Sequence, residues 1–499
     1  MTLDVLARRL RRDLGDGAVI TDPATRRTYE CDGLTAYRSM PGLVVLPEDA
    51  EGVQATVRAC RDARVPFVAR GSGTGLSAGA LPEADGVLIV TARMRRILDV
   101  DLPNRRAVVE PGVINLEVSR AVGPAGWYYA PDPSSQQICS IGGNVAENSG
   151  GAHCVKYGFT VHHVTGLEVC TADGELVRLG AGRAAQAPGY DLTGVFVGSE
   201  GTLGVATKIW VRLQRSPQAV CTILAAFATI EQAGAAVSAI VAAGLRPAAA
   251  EIMDALAIGA AEAAVSCGYP PGAGAVLIVE LDGPEVEVEA EAAAVTALCG
   301  EAFEIRTATD PQRRAAIWRG RKSAFAAVGR ISRDYIVQDG VIPRTALAEV
   351  LREIERLASA AGIRVANVFH AGDGNLHPLV LYDGTEPGAL GRAEQVSGAI
   401  LDLCVARGGS ITGEHGVGVD KAAKLPLMFG PDDLATMRLL RDAFDPDGRA
   451  NPGKVFPTPR RCAERGGNER GGNERGAAAA PGRAAVPTAR SGDSDSESA

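Results

Sequence analysis

Two histidines bracket a short polar turn at 368–378, Val-Phe-His-Ala-Gly-Asp-Gly-Asn-Leu-His-Pro. If that turn joins the arms of a hairpin, His370 and His377 can aim their imidazoles at one point, and neutral imidazole suits zinc, iron or manganese. Further on, Gly-Gly-Ser-Ile-Thr-Gly-Glu-His-Gly-Val-Gly at 408–418 sets Glu414 beside His415 on a bend that its glycines permit. Glu414 then offers a carboxylate ligand and leaves His415 as a free base, and three protein ligands leave a coordination position for substrate. Two histidines beside a turn are more often structural than ligating. The third element, arriving from a separate stretch of chain, tips the reading toward a catalytic metal.

A second chemistry is written in glycines. At 66–80, Pro-Phe-Val-Ala-Arg-Gly-Ser-Gly-Thr-Gly-Leu-Ser-Ala-Gly-Ala, a short apolar strand runs into a loop with glycines at 71, 73, 75 and 79. Without a Cβ, several backbone N–H groups can converge on a pyrophosphate, with the hydroxyls of Ser72, Thr74 and Ser77 beside them. A P-loop would end in Gly-Lys-Ser/Thr, and a Rossmann turn would lead straight into an apolar helix; here Pro82 and another strand-like run follow. The stretch 131–151 is equally polar and glycine-rich, and reads as a long ordered loop. Gly142, Gly143, Gly150 and Gly151 would let it approach a flat heteroaromatic ring, and loops of this length are usually functional. A third glycine-rich passage, Gly-Ser-Glu-Gly-Thr-Leu-Gly-Val at 198–205, leads into a strand at 206–213.

Composition sets the frame. With 499 residues and 46% hydrophobic content the chain can bury a large core in roughly two to three domains. A net charge of −8 argues against nucleic acid or an anionic membrane as the main partner. Ten cysteines stand singly, with no Cys-x-x-Cys, so no iron–sulfur cluster or thiolate zinc site can be placed and a reducing cytosol is expected. The longest apolar run, 233–245, is too short to cross a bilayer.

The elements that must position these residues follow an α+β pattern. Leu3, Leu6, Leu10 and Leu14 mark one face of an opening helix, read as a packed surface helix rather than an organellar presequence because Asp4 and Asp13 interrupt its basic face. Short strands at 43–46, 66–69, 86–91, 97–100 and 107–110 surround helices at 49–63, capped by Asp49, and 113–122. A strand–turn–strand at 166–179 turns on Asp173-Gly174. After Ser216-Pro217 the composition shifts to alanine-rich helices (231–243, 285–298, 346–360) alternating with strands (220–228, 276–281, 363–370), which predicts helices over an antiparallel sheet. The tail beyond 457, a repeated Glu-Arg-Gly-Gly-Asn unit, an alanine block and a Ser/Asp/Glu run, is expected to be disordered.

Seven ordered motifs now carry a resemblance: Arg-Gly-Ser-Gly-Thr-Gly-Leu-Ser at 70–77, Pro-Asp-Pro-Ser-Ser at 131–135, Ile-Gly-Gly-Asn-Val-Ala-Glu-Asn at 141–148, Gly-Ser-Glu-Gly-Thr-Leu-Gly at 198–204, the histidine hairpin, Glu414-His415-Gly and Asn-Pro-Gly-Lys at 451–454. Together they resemble the FAD-linked oxidases of the vanillyl-alcohol oxidase and p-cresol methylhydroxylase superfamily, and within it most resemble glycolate oxidase catalytic subunits and D-lactate dehydrogenases. The resemblance covers about 1–457. It implies a two-lobed FAD-binding domain of that type over 37–215, an antiparallel-sheet substrate cap over 216–407 and a C-terminal segment, 408–457, that returns to the flavin, with 1–36 as a helical lead-in and 458–499 as the tail.

Carried over by position, the resemblance assigns FAD to Arg70, Gly71, Ser72, Gly73, Thr74, Gly75 and Ser77 at the pyrophosphate. Pro131, Asp132, Ser134, Ser135, Gly142, Gly143, Asn144, Asn148, Gly150, Glu200, Gly201, Gly204 and Val205 take the remainder, and Asn451 the isoalloxazine. It makes His370, His377 and Glu414 the ligands of a divalent zinc, manganese or iron, His415 the base, and Arg321, in Trp-Arg-Gly-Arg-Lys-Ser at 318–323, the grip on a substrate carboxylate. The implied reaction takes a short 2-hydroxy acid, glycolate or D-lactate, to the 2-oxo acid. Where D-2-hydroxyglutarate enzymes of the family carry a lysine, Tyr-Ile-Val-Gln-Asp stands at 335–339, against a dicarboxylate substrate. His153 is the residue a covalent flavin link would use, and noncovalent FAD is expected. With no iron–sulfur cysteines, electrons must leave through separate FAD and iron–sulfur subunits, a quinone, a cytochrome or oxygen, from a protein that is cytoplasmic or peripheral at the inner face of the membrane. The rivals are a flavin-free metal-binding scaffold and a sugar-nucleotide reductase sharing only the FAD domain; the histidines of the second region count against the latter.

Overall fold

The computed structural model describes residues 2–180 and 189–457, so the tail at 458–499 lies outside the described residues. The N-terminal part is built on two small sheets. In the first, the strands Leu43–Val45, Val87–Val90 and Phe67–Arg70 run parallel, with Val19–Ile20 added antiparallel at one edge. Parallel strands need cover on both faces, and all three residues of Leu43–Val45 and all four of Val87–Val90 are buried. The helix Ala50–Ala63 supplies part of that cover. Asp49 caps it by accepting from the Gly52 N–H at 2.8 Å, and its face of Val53, Val57 and Cys60 is fully buried. Against the same core the opening helix, Leu3–Leu14, buries Leu6 and Leu10 completely, as its leucine stripe predicts.

The second sheet is antiparallel, in the order Ile97–Asp101, Arg106–Val109, Val205–Arg212, Val164–Cys170, Leu176–Gly180. The glycine-rich passages at 71–79 and 198–204 adjoin the ends of strands of these sheets, and 131–151 follows a separate two-stranded ribbon of Trp127–Tyr128 with Gln214–Arg215. One of them departs from expectation, because 131–151 holds a helix, Ile141–Glu147, rather than a continuous loop. Its glycines conceal it: Gly has poor helix propensity, yet a Cβ on Gly142 would stand 2.6 Å from the Pro111 Cβ, so close packing requires glycine there. Ser140 caps the helix, its hydroxyl accepting from Gly143 N–H.

From Ala219–Phe227 onward the chain builds an eight-stranded antiparallel sheet. Its path is Glu304–Ala308, Ala219–Phe227, Ala275–Gly283, Ala249–Asp254, Val365–His370, Asn375–Tyr382, Asp334–Val337, with Gly340–Val341 also pairing to Asn375–Tyr382. Side chains alternate across it. One face packs Ile223, Leu277, Ile252 and Phe369 under the helices Ile230–Ala242, Leu347–Ala360 and Ala389–Ala406. The other packs Leu224, Ile278, Met253 and Val368 under Ala255–Val265 and Pro311–Val328. The strand Ala249–Asp254 escapes a pattern reading because it is buried on both faces and shows no alternation. At the end of the described chain Ala450 bridges in parallel to Phe67, and Asn451 N–H donates to the Phe67 carbonyl, so the C-terminal segment rejoins the first sheet. Among the described residues no helix is long and apolar enough to cross a membrane.

Candidate active site

A cavity of about 750 Å³ runs from the glycine loop after Phe67–Arg70 to Glu414 and His415. The loop forms one wall. Gly73 has φ +70°, and a Cβ there would strike the Arg70 guanidinium; one on Gly71 would strike Ser140 Oγ. At Gly75 a Cβ would meet nothing nearer than 3.8 Å, so the backbone there is open to the cavity. The N–H groups of Gly73, Thr74, Gly75 and Leu76 find no acceptor among the described residues. Free donors on a glycine loop facing a long cavity fit a pyrophosphate-bearing cofactor such as FAD.

Of the residues expected to hold that cofactor, Arg70, Gly71, Ser72, Gly73, Thr74, Gly75, Ser134, Ser135, Gly142, Gly143, Asn144, Gly150, Glu200, Gly201, Gly204 and Val205 line the cavity. The other five are not among its lining residues. Ser77 is fully buried, and its carbonyl accepts from the N–H groups of Val419 and Asp420. The Pro131 carbonyl takes the Asn115 side-chain amide at 3.0 Å. Asn148, at φ 52°, ends the helix Ile141–Glu147 and accepts from Val161 N–H. Asn451, at φ 43°, donates to the carbonyls of Gly79 (2.8 Å) and Glu200 (2.5 Å). Asp132 pairs with His153 Nδ1 at 2.7 Å, and His153 Nε2 reaches Glu280 at 3.2 Å. Burial works against charge on His153, but Asp132 and Glu280 outweigh it and push its pKa up to about 10. Both ring nitrogens are committed to carboxylates, and His153 is not among the lining residues.

The histidine end is built on sheet register. Val368 stands across from His377 and Asn375 across from His370, so the two imidazoles leave the same face, with ring centroids 4.9 Å apart. Their Nε2 atoms lie 3.4 Å (His370) and 3.0 Å (His377) from Glu414 Oε1, and His415 Nε2 lies 3.4 Å from the same oxygen. The opposite ring nitrogens are engaged: His370 Nδ1 with Glu251 at 2.7 Å, His377 Nδ1 with the Gln338 carbonyl at 3.3 Å. That leaves both Nε2 atoms and Glu414 Oε2 buried without a hydrogen-bond partner. Two converging imidazole lone pairs and a carboxylate fit a divalent ion of the zinc type.

Asp339, which sequence reasoning passed over, holds this bend. Its carboxylate accepts from the N–H groups of Gly413, Glu414 and His415, from Thr412 Oγ1 and from Lys421 Nζ. Burial would raise its pKa, but Lys421 and the neighbouring histidines hold it well below the usual carboxylate range. Glu200 plays a matching part downstream, its two oxygens taking the Val417 and Gly418 N–H groups at 2.7 and 2.6 Å. Glu147 lies beside it, wedged so that a Cβ on Gly79 or Gly416 would collide with its carboxyl. Glu251 and Glu280 carry a signal that Asp339 and Glu200 lack, a carboxylate set inside an apolar strand, which demands a partner once buried.

Arg321 departs from its expected place. It is 3% exposed and paired through Nε and Nη2 to Glu251, at 2.7 and 2.6 Å, and it does not line the cavity. The cations that do line it on this side are Lys322 and Arg333, near Phe325, Tyr335 and Tyr382.

The family model for the C-terminal domain of FAD linked oxidases matches residues 216–455, and that for an FAD binding domain matches 41–180. The glycolate oxidase subunit GlcD of Escherichia coli K12 is 53% identical over 440 residues, spanning 88% of each chain. That of Bacillus subtilis 168 is 40% identical, over 87% of this chain and 93% of its own. Among solved structures, p-cresol methylhydroxylase with substrate bound superposes with a TM-score of 0.76 at 17% identity, over 91% of this chain and 96% of its own.

Proposed function

Because the chain belongs to the family of FAD-linked oxidases, we propose that it oxidises a short 2-hydroxy acid, glycolate or D-lactate, to the 2-oxo acid. One observation carries the reading: a single cavity joins the donor-rich glycine loop to Glu414 and His415. Cofactor and chemistry therefore share one space. FAD would occupy it, and His370, His377 and Glu414 would hold a divalent ion beside His415.

When bound, the flavin supplies the acceptor for the α-hydrogen and its electron pair, and the metal draws charge from the substrate's 2-hydroxyl. His415 takes the hydroxyl proton. It lines the cavity, its side chain is 14% exposed, and its Nδ1 lacks a hydrogen-bond partner at 4.0 Å from Asp339. Asp339 fixes it through the backbone, as does Glu200 from the other side of Gly416. Lys322 and Arg333 line the cavity and would take the carboxylate of the acid, whereas Arg321, bound through Nε to Glu251, is not among the lining residues and meets the site through Glu251 and His370 and through the ring of Phe325. Electrons leave to separate electron-transfer subunits carrying FAD and iron–sulfur centres, or to a quinone or cytochrome, since the ten cysteines are too scattered to hold a cluster.

Anaerobic mixing with glycolate, D-lactate, L-lactate and 2-hydroxyglutarate tests the reading. Flavin absorbance should bleach with glycolate or D-lactate. A flavin-loaded protein bleached by none of these acids is not this enzyme. Chelation should slow bleaching, and one added divalent ion should restore it; full speed after chelation removes the metal.

A further inference from the structure

Glu251 sits at the centre of the eight-stranded sheet with no exposed surface. Its position is set by pairing, for it stands directly across from His370 in the antiparallel ladder and both side chains leave the same face. Oε1 meets His370 Nδ1 at 2.7 Å, while Oε2 accepts from Nε of Arg321, on the helix Pro311–Val328, at 2.7 Å and forms an ion pair with the same guanidinium. A buried carboxylate without such partners would be strongly destabilising. The arrangement is thus a chain of three groups, Arg321 to Glu251 to His370, ending at the Nε2 that lies 3.4 Å from Glu414.

We propose that Glu251 is a positioning residue for the metal site, with Arg321 holding its charge in place. As an acceptor at Nδ1 it keeps His370 in the tautomer whose Nε2 carries the lone pair, and it fixes the plane of the ring. His377 has only the neutral Gln338 carbonyl behind it, at 3.3 Å. The two imidazoles are therefore unequal: His370 is backed by a charged, short hydrogen bond and is the stronger donor. A narrower alternative makes Glu251 a tie between the helix and the sheet, with no consequence for the ion. The proposal rests on the metal reading given above, and the experiment separates the two.

Two variants are needed, because removing one member of a buried ion pair leaves the other uncompensated. Glu251→Gln keeps the shape but sets an amide against either Arg321 or His370. The double variant Glu251→Met with Arg321→Met replaces the pair by apolar side chains of similar volume. Apoprotein of each is titrated with cobalt(II), following the ligand-field absorption bands and competing with a chelator, with flavin content and Tm read in parallel. Both variants should keep their flavin, bind the ion ~10–100-fold more weakly and shift the bands, as expected when an outer partner of a ligating histidine is lost. Affinity within about threefold of wild type in either folded variant would make Glu251 a structural tie and overturn the proposal. Wild-type protein that gives no cobalt bands, or His377→Ala that keeps them unchanged, overturns the metal reading itself.

Discussion

The two ends of the cavity are made of different materials. The glycine end is backbone: residues 73–76 line the space with N–H groups that have no acceptor among the described residues, and the close packing at Gly71, Gly73 and Gly142 leaves no room for side chains. The histidine end is side chain: Glu414 is ringed by three imidazoles, and Glu251 and Asp339 stand behind them. A backbone site holds a large ligand by many weak contacts and tolerates the loss of any hydroxyl, but no added carbon. A side-chain site of buried charges tolerates no loss, because each removed partner strands another charge.

The comparison breaks most clearly at His415. His415→Asn should lower the rate of flavin reduction by ~10²–10⁴-fold, the usual worth of a general base, while metal and flavin contents stay at wild-type levels. Single-turnover bleaching measures it, and a rate within a few-fold of wild type would remove His415 from the chemistry. Loss of the metal instead would exchange the roles of Glu414 and His415. Next, His377→Ala should lose the metal and on the order of 10³-fold in turnover, since a Lewis acid contributes several kcal/mol, yet load FAD normally. An apo-flavin or aggregated His377→Ala protein would make the ion structural.

The opposite end should show the opposite pattern. Gly73→Ala places a Cβ at φ +70° and against Arg70, a strain of about 1–2 kcal/mol, so flavin affinity should fall roughly tenfold with metal content unchanged. Flavin fluorescence on dilution reads this directly; unaltered retention would mean the loop is not part of the cofactor wall. The smallest effect concerns His153, which belongs to neither end. Its pKa rises from about 6.5 unfolded to about 10 folded, so its pairing with Asp132 and Glu280 stabilises fully below pH 6.5 and is lost as pH rises through 10. Tm should therefore fall more steeply between pH 7 and 10 in wild type than in His153→Gln. Parallel curves would show that the pair contributes no pH-linked stability.

What could be read from the sequence divides along the same line. His370 and His377 were legible because a hairpin turn and a two-residue period place both on one face, and the glycine loop because Gly71, Gly73 and Gly75 mark themselves. Arg321 was placed at the substrate by its motif, but the residue that claims it, Glu251, comes from a strand with no alternating pattern. Glu251 meets His370 only through sheet register, 119 positions away along the chain. Helix Ile141–Glu147 was hidden for a local reason, since the glycines that let it pack on Pro111 are the residues that argue against a helix. Asp339 ended a pentapeptide read only for a missing lysine, and nothing in that run reveals the four backbone and hydroxyl donors it gathers from 412–415.

The short stretch after His415 is fastened on both sides of the cavity. Upstream, Asp339 of the large sheet region holds the N–H groups of 413–415; downstream, Glu200 holds those of Val417 and Gly418, and the Ser77 carbonyl those of Val419 and Asp420. His415 is thus the last residue on one of two piers, the one standing with the histidine ligands, and a single glycine spans the gap to the other, which stands with the cofactor wall. Any sliding of one pier past the other must be taken up first at Gly416, at φ +81° the one residue between the two fastenings and the neighbour of His415. The base is in effect a gauge of how well the two halves of the enzyme are seated.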